Sequence, residues 1–295
     1  MSVRHVVIIG AARSGTKMLR DALAMASGVG KVPYDVGYVW RLGNEDHPDD
    51  VIGPEMLGDQ SRQYIRDYVE RYADGAPPAV IEKTVGNALR VATVAAVFPD
   101  ARYIHLVRDG VDVAESARRQ WSARPDIRYL LEKAKHFPLR MVPRYGAKYV
   151  RSLATRGFHD GRASTWGPRY PRMDEDLRRE ALLVVCARQW LHSVRSARAD
   201  FARLGLPVVE VRYEELTSSP HVELSRVAQD SGLPLLPEGL EQASREITDA
   251  RRGIGRGSLS EVEVAQLSLE VDDLLDELGY ECLRPANSFH NRREE

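Results

Sequence analysis

The sequence predicts an α/β fold, a three-layer sandwich with a central parallel sheet and a helical insertion, and three observations predict it. Four short apolar runs, Val6 to Ile9, Ala79 to Ile81, Tyr103 to Val107 and Val208 to Val211, are separated from one another by helical pattern. Such alternation makes a parallel sheet covered by helices on both faces. The first and third runs break into Gly10 and Arg108-Asp109-Gly110, where a chain leaves a strand for a helix. At 295 residues the chain is long enough to bury one full core, and a single domain over 1–295 is expected.

The first strand runs into Gly10-Ala11-Ala12-Arg13-Ser14-Gly15-Thr16-Lys17, and a helix from Ser14 to about Met25 follows with Met18, Leu19, Ala22 and Leu23 on one face. A strand, turn and helix in this order aim unpaired backbone N–H groups at an anion, which makes the sandwich P-loop-like. Gly10 and Gly15 carry P-loop spacing, but Thr16-Lys17 reverses the Lys-Ser/Thr order of the nucleoside-triphosphate loop. The reversal turns the ammonium about 100° around the helix and leaves no hydroxyl for Mg²⁺. A P-loop nucleotide kinase therefore stays only as an alternative. Arg13, inside the loop, is expected against the ligand's bridging oxygen, where its fixed charge stabilises a leaving phosphate.

Helices are expected over Asp59 to Tyr72 and Val91 to Phe98, the latter stopped by Pro99-Asp100. The Tyr103 strand then delivers Arg108, and Ser116 lies eight residues on, two turns into the next helix. A guanidinium and a hydroxyl so placed converge on one phosphate. Two phosphate sites on one sheet imply a doubly phosphorylated nucleotide.

Between Arg118 and Arg172 fourteen Lys/Arg stand against three Asp/Glu, a net +11, so the rest of the chain carries −12 of the overall −1. Repeated Pro and Gly cut this segment into short helical pieces, and it is expected to form an insertion or lid over the ligand edge. Its charge and its aromatics Tyr129, Tyr145, Tyr149, Trp166 and Tyr170 suit an anionic or lipid-linked acceptor, with peripheral membrane contact. A solvated helical cover is the plainer reading of the same charge run. A non-catalytic module binding anions or a membrane surface is the second alternative. A long helix from Asp174 to about Leu204 leads into the Val208 strand, and a last helix spans about Ser260 to Leu278.

The apolar run at Val6 to Ile9 is too short for a secretory signal, and no segment approaches the roughly 20 apolar residues of a membrane span. A soluble, cytoplasmic protein is expected. Cys186 and Cys282 lack metal-ligand spacing and are expected to be reduced thiols, and the eight histidines form no i, i+4 pair. No metal is expected.

Taken together, Arg13-Ser14-Gly15-Thr16 after the first strand and Arg108 with Ser116 after the third resemble the two co-substrate motifs of the sulfotransferases that use 3′-phosphoadenosine 5′-phosphosulfate (PAPS). In motif style the chain is most similar to the glycan-type, tyrosylprotein-type and bacterial members. The resemblance implies that Arg13, Ser14, Gly15, Thr16 and Lys17 hold the 5′-phosphosulfate, and that Arg108 and Ser116 hold the 3′-phosphate. Ile81-Glu82-Lys83-Thr84 resembles the strand end whose Lys reaches the active site, so Lys83 is implied at the sulfuryl oxygens. Val211-Arg212-Tyr213-Glu214-Glu215-Leu216 resembles the element whose Tyr lies near adenine, and Ile254-Gly255-Arg256-Gly257 the loop that closes over the nucleotide. These imply Tyr213, Arg256 and Gly257 as co-substrate residues.

An acceptor hydroxyl needs a base opposite the leaving group. Asp35, twenty-two residues after Arg13, lies near the spacing at which the glycan and tyrosylprotein enzymes place a catalytic Glu. Glu82 is the alternative base. No His follows the Lys83 strand as it does in the small-molecule enzymes, and this favours a carbohydrate or glycoconjugate acceptor. Nucleic acid is not an expected partner of such an enzyme.

Overall fold

In the computed structural model, residues 2–122 and 166–284 are described. Their sheet has five parallel strands in the order β2-β3-β1-β4-β5, with β1 Arg4–Ile9 at the centre. The others are β2 Gly30–Lys31, β3 Ala79–Glu82, β4 Arg102–Val107 and β5 Val208–Arg212. Four of these coincide with the apolar runs of the sequence. The fifth, β2, has only two residues and leaves no periodic signal; its pairing with β3 makes it a strand.

Alternation along β1 assigns the layers. Val6 and Ile8 pack with Ile81, Ile104 and Leu106 against α1 (Thr16–Ser27) and the helices Pro220–Asp230 and Pro237–Glu246. Val7 and Ile9 face the opposite way, onto Trp40, Ile65, Tyr68, Val94 and Phe201. The layer on that side includes α2 (Gly37–Trp40), α3 (Asp59–Glu70), α4 (Val91–Val97) and the long helix Leu182–Leu204. A third cluster, with Val111, Trp121, Trp190, Leu267 and Leu274, joins α5 (Gly110–Ser122) to the long helix and to the C-terminal helix Glu261–Glu277. Ser260 and Glu263 close a reciprocal capping box on that last helix, the sequence signal that marks its start.

Two expectations are corrected. The helix expected from Asp174 to Leu204 is two helices, Met173–Arg179 and Leu182–Leu204, because the chain is extended at Glu180 and Ala181. Arg188 then spans the break, pairing with Asp176 at 2.9 Å and with Glu180 and Glu270. At the expected insertion, in turn, the described end residues belong to packed elements. Residues 118–122 complete α5, and Tyr170 stacks on His192 at 4.6 Å while donating to Asp176 at 2.7 Å. Tyr170 is thus a core residue, not an aromatic offered to an acceptor. Residues 123–165, with Tyr129, Tyr145 and Tyr149, lie outside the described residues. Among the described residues no helix is long and apolar enough to cross a membrane.

One ion cluster ties the first helix to the sheet edge. Asp21 on α1 accepts Arg20 at 2.7 Å, Lys31 of β2 at 2.8 Å and Lys17 at 3.2 Å. Burial pushes its carboxyl up, but the bonds from Lys31 and Arg20 outweigh burial and hold it at about 2. A depressed carboxyl stabilises the fold above its unfolded value near 4, and that stability is lost as pH falls toward 2. Asp21→Asn is expected to lower stability at pH 7 by about 1 kcal/mol, a few degrees in Tm, after discounting for its partial exposure. Melting curves from pH 7 to pH 3 should show the gap narrowing below pH 4; a gap constant across that range would contradict the assignment.

Candidate functional site

Strands β3, β1 and β4 are neighbours, so their carboxyl ends open at one edge, each roughly 5 Å from the next. Ligands bind at this edge in open parallel sheets. Three chain segments leave the sheet there, and they carry Lys83, the Arg13 loop and Arg108.

The first segment turns through two left-handed residues, Arg13 at φ 73° and Gly15 at φ 97°. Only glycine takes the second without strain, and a Cβ there would meet the Tyr213 ring at 2.8 Å. Helix α1 then starts with no side-chain cap and no acidic residue in its first turn, so nothing competes with an anion for its amides. Ser14 is buried in the loop, and its hydroxyl has no partner among the described residues.

Arg108 enters from β4. Its Nη1 donates to the Arg13 carbonyl at 3.2 Å, and its Nη2 donates to the Arg251 carbonyl at 2.6 Å and to Asp112 at 3.3 Å. The guanidinium lies 4.1 Å over the Tyr213 ring. Only 5% of Arg108 is exposed, yet its Nε has no partner among the described residues. Arg13 Nε donates to Ser116 Oγ at 3.0 Å, across 103 residues of chain. Burial pushes the Arg13 guanidinium below its ordinary value, and the neighbouring charges of Arg251, Arg108 and Arg119 push it further. Four guanidiniums therefore gather where two buried polar atoms lack partners. Burying like charges is costly, and a nearby opposite charge offsets that cost.

Beside this arginine cluster stands an ion pair. Lys83 Nζ donates to both Asp35 oxygens at 3.0 Å, and the Val85 amide donates to Oδ1 at 2.9 Å. The Val36 amide bonds Thr84 Oγ1 at 3.0 Å, so the two segments are laced on both sides of the pair. The lysine is nearly buried, whereas Asp35 keeps a third of its side chain exposed. Glu82 is fully buried instead, accepting from Trp40 Nε1 and Asn87 Nδ2 at 3.2 Å each, and burial raises its carboxyl.

Of the residues singled out in the sequence, Arg13, Ser14, Gly15, Thr16, Arg108, Ser116 and Tyr213 come together in one cluster, and Asp35 meets Lys83. Tyr213 is buried under Gly15 and Arg108 as a supporting plate. Others stand elsewhere. Lys17 is 72% exposed and paired with Asp21, and Arg256 is held by Asp109 at 2.7 and 2.9 Å. Gly257 ends the short helix Ile254–Gly257, with open space beside it. Arg119 and Arg251 escaped the sequence reading. Arg119 had a signal, being three residues beyond Ser116 on the same helix face. Arg251 had a weaker one, lying three residues before the Ile254-Gly255-Arg256-Gly257 segment that resembles a nucleotide-covering loop. Among the described residues no group of three or more His, Cys, Asp or Glu is arranged to hold a metal ion.

Residues 39–162 match the model of a family described as the sulfotransferase family. The match takes in Asp109, Lys83, Arg108 and Ser116 but begins after the first loop. The sulfotransferase domain from the curacin biosynthetic pathway is 17% identical, with a TM-score of 0.50 over 95% of this chain and 99% of that one. A sulfotransferase from Alicyclobacillus acidocaldarius is 17% identical, with a TM-score of 0.50 over 95% of this chain and 98% of its own. At that identity the likeness is one of fold, the P-loop-like α/β sandwich. No curated protein matches the sequence.

Proposed function

We propose that this chain, whose residues 39–162 match the sulfotransferase family model, moves a sulfuryl group from PAPS to an acceptor hydroxyl. The observation that carries this reading is the joining of Arg13, Arg108 and Ser116 in one polar constellation, with Arg108 Nε and Ser14 Oγ buried and unpartnered. These atoms fit a doubly phosphorylated nucleotide better than a single phosphate. Arg108, Ser116, Arg119 and Arg251 supply charge and hydroxyl for its 3′-phosphate, and Arg13 with the first-turn amides of α1 holds the 5′ end.

The chain's own groups then account for the transfer. Asp35 accepts the proton of the acceptor hydroxyl as that oxygen attacks sulfur in line, the S–O bond to the nucleotide breaks, and adenosine 3′,5′-bisphosphate departs. Lys83 leaves the carboxylate for the sulfuryl oxygens, which frees Asp35 to take the proton and places positive charge where negative charge develops. Glu82, enclosed by Trp40 and Asn87, is the less suitable base. Arg13 stabilises the bridging oxygen. PAPS brings the activated sulfuryl group, and no metal ion enters this scheme.

For the acceptor we propose a carbohydrate or glycoconjugate hydroxyl, anionic or lipid-linked, met in part by the basic stretch 118–172. The support is the Glu82-Lys83-Thr84 strand end, the carboxylate at 35 and the +11 charge. The same charge would favour an anionic membrane surface, and a cytoplasmic enzyme would meet its acceptor there. A sulfotransferase domain of the curacin biosynthetic pathway has the same fold. Lys17 bears on the kinase alternative, because a lysine paired outward with Asp21 does not face a triphosphate.

Thermal shift with three ligands tests the reading. Adenosine 3′,5′-bisphosphate is expected to raise Tm by several degrees at about 100 times its Kd, whereas ATP with Mg²⁺ and an anionic polymer do not. Stabilisation by ATP with Mg²⁺ alone would restore the kinase, and by the polymer alone the non-catalytic module. A panel of glycans incubated with PAPS should then show the mass gain of SO₃ on the true acceptor.

A further inference from the structure

We infer that Asp112 is a positioning residue that latches the 251–257 loop against Arg108 and so sets selectivity for a nucleotide bearing a 3′-phosphate; this rests on the PAPS reading above. Asp112 lies in the first turn of α5 and is 3% exposed. Its Oδ1 accepts the Gly255 amide at 2.7 Å, and its Oδ2 accepts the Gly253 amide at 2.7 Å and Arg108 Nη2 at 3.3 Å. The partners are 141 and 143 residues away in sequence, so one carboxylate joins the arginine of β4 to the loop near the C-terminus. Arg108 reinforces the join through the Arg251 carbonyl, and Asp109 does so by holding Arg256.

Charge explains why an anion is needed at this spot. The loop carries Arg251, whose charge presses on Arg13 together with those of Arg108 and Arg119. Before a nucleotide binds, these cations repel one another and would push the loop outward. Asp112 is a buried carboxylate beneath the loop, and its two amide bonds keep Arg251 near Arg108 without occupying the orphaned Arg108 Nε. A preorganised site avoids the cost of ordering the loop at the moment of binding. Packing is equally close, since a Cβ on Gly255 would stand 2.7 Å from Asp112 Cα and 2.8 Å from the Val111 carbonyl oxygen.

The experiment compares Asp112→Asn with the unaltered protein in affinity for adenosine 3′,5′-bisphosphate and for adenosine 5′-phosphate, and in amide exchange over 251–257. An asparagine offers one acceptor oxygen and turns an NH₂ toward the second amide, so at least one bond is lost. The bisphosphate affinity is expected to fall about 10-fold or more and the monophosphate affinity to change less than about 2-fold, with faster exchange in the loop. Gly255→Ala, which displaces the loop without touching the charge, should reproduce the loss of selectivity, and it stands in if Asp112→Asn does not fold. Folded variants that keep both the selectivity ratio and the slow loop exchange overturn the inference. If the unaltered protein shows no preference for the bisphosphate, the PAPS reading falls and this inference with it.

Discussion

Arg108→Ala is expected to weaken adenosine 3′,5′-bisphosphate binding about 100-fold, the equivalent of about 3 kcal/mol, which lies within the range for truncating a buried charged partner. The size follows from its position. Arg108 is nearly buried, carries the unpartnered Nε, and touches the first loop, α5, the 251–257 loop and Tyr213 at once. Stability without ligand should respond differently. Removing one of four crowded cations relieves the repulsion that lowers the Arg13 value, and Asp112 retains two amide donors. The ligand-free Tm should therefore change little while the ligand-induced shift vanishes. Arg108→Lys should fall between, because a point charge keeps attraction but loses the planar fork and the stacking on Tyr213. Calorimetric titration of the two variants checks the ordering; unchanged affinity in Arg108→Ala would remove the anion site from the assignment.

Asp35→Asn is expected to lower kcat by 10²-fold to 10⁴-fold, the usual contribution of a positioned general base. Nucleotide affinity should stay within about 2-fold, because among the described residues Asp35 bonds only Lys83 and the Val85 amide. Lys83→Met should lower kcat comparably, through lost stabilisation of the sulfuryl oxygens. The two groups act as a unit, so the double variant should be little worse than the weaker single variant. Fully additive losses would mean that each residue acts alone and that the 3.0 Å pair is incidental. A glycan-acceptor assay with labelled PAPS measures all three, and full activity in Asp35→Asn would transfer the base to another group.

Local order carried much of this through the sequence. The run Val6 to Ile9, the glycines at 10 and 15 and the apolar face of the first helix announced a strand, a turn and a helix, because strand and helix periodicities are properties of neighbouring residues. Arg108 and Ser116 were legible for the same reason, their eight-residue spacing being a helix-face relation. Even the Asp35–Lys83 centre was visible as two separate candidates. Their pairing across 48 residues was not visible, and neither was the enclosure of Glu82 by Trp40 and Asn87.

Sequence pattern alone determined the kind of fold and singled out most of the polar side chains that cluster at the two strand ends. Strand order, the break at Glu180-Ala181, the turning of Lys17 and Arg256 toward Asp21 and Asp109, and the arrival of Arg251 beside Arg13 arose only when distant segments packed. The physical reason is that charged side chains choose partners by distance in space and by the burial that sharpens Coulomb forces, and neither quantity is written in the spacing of residues along the chain.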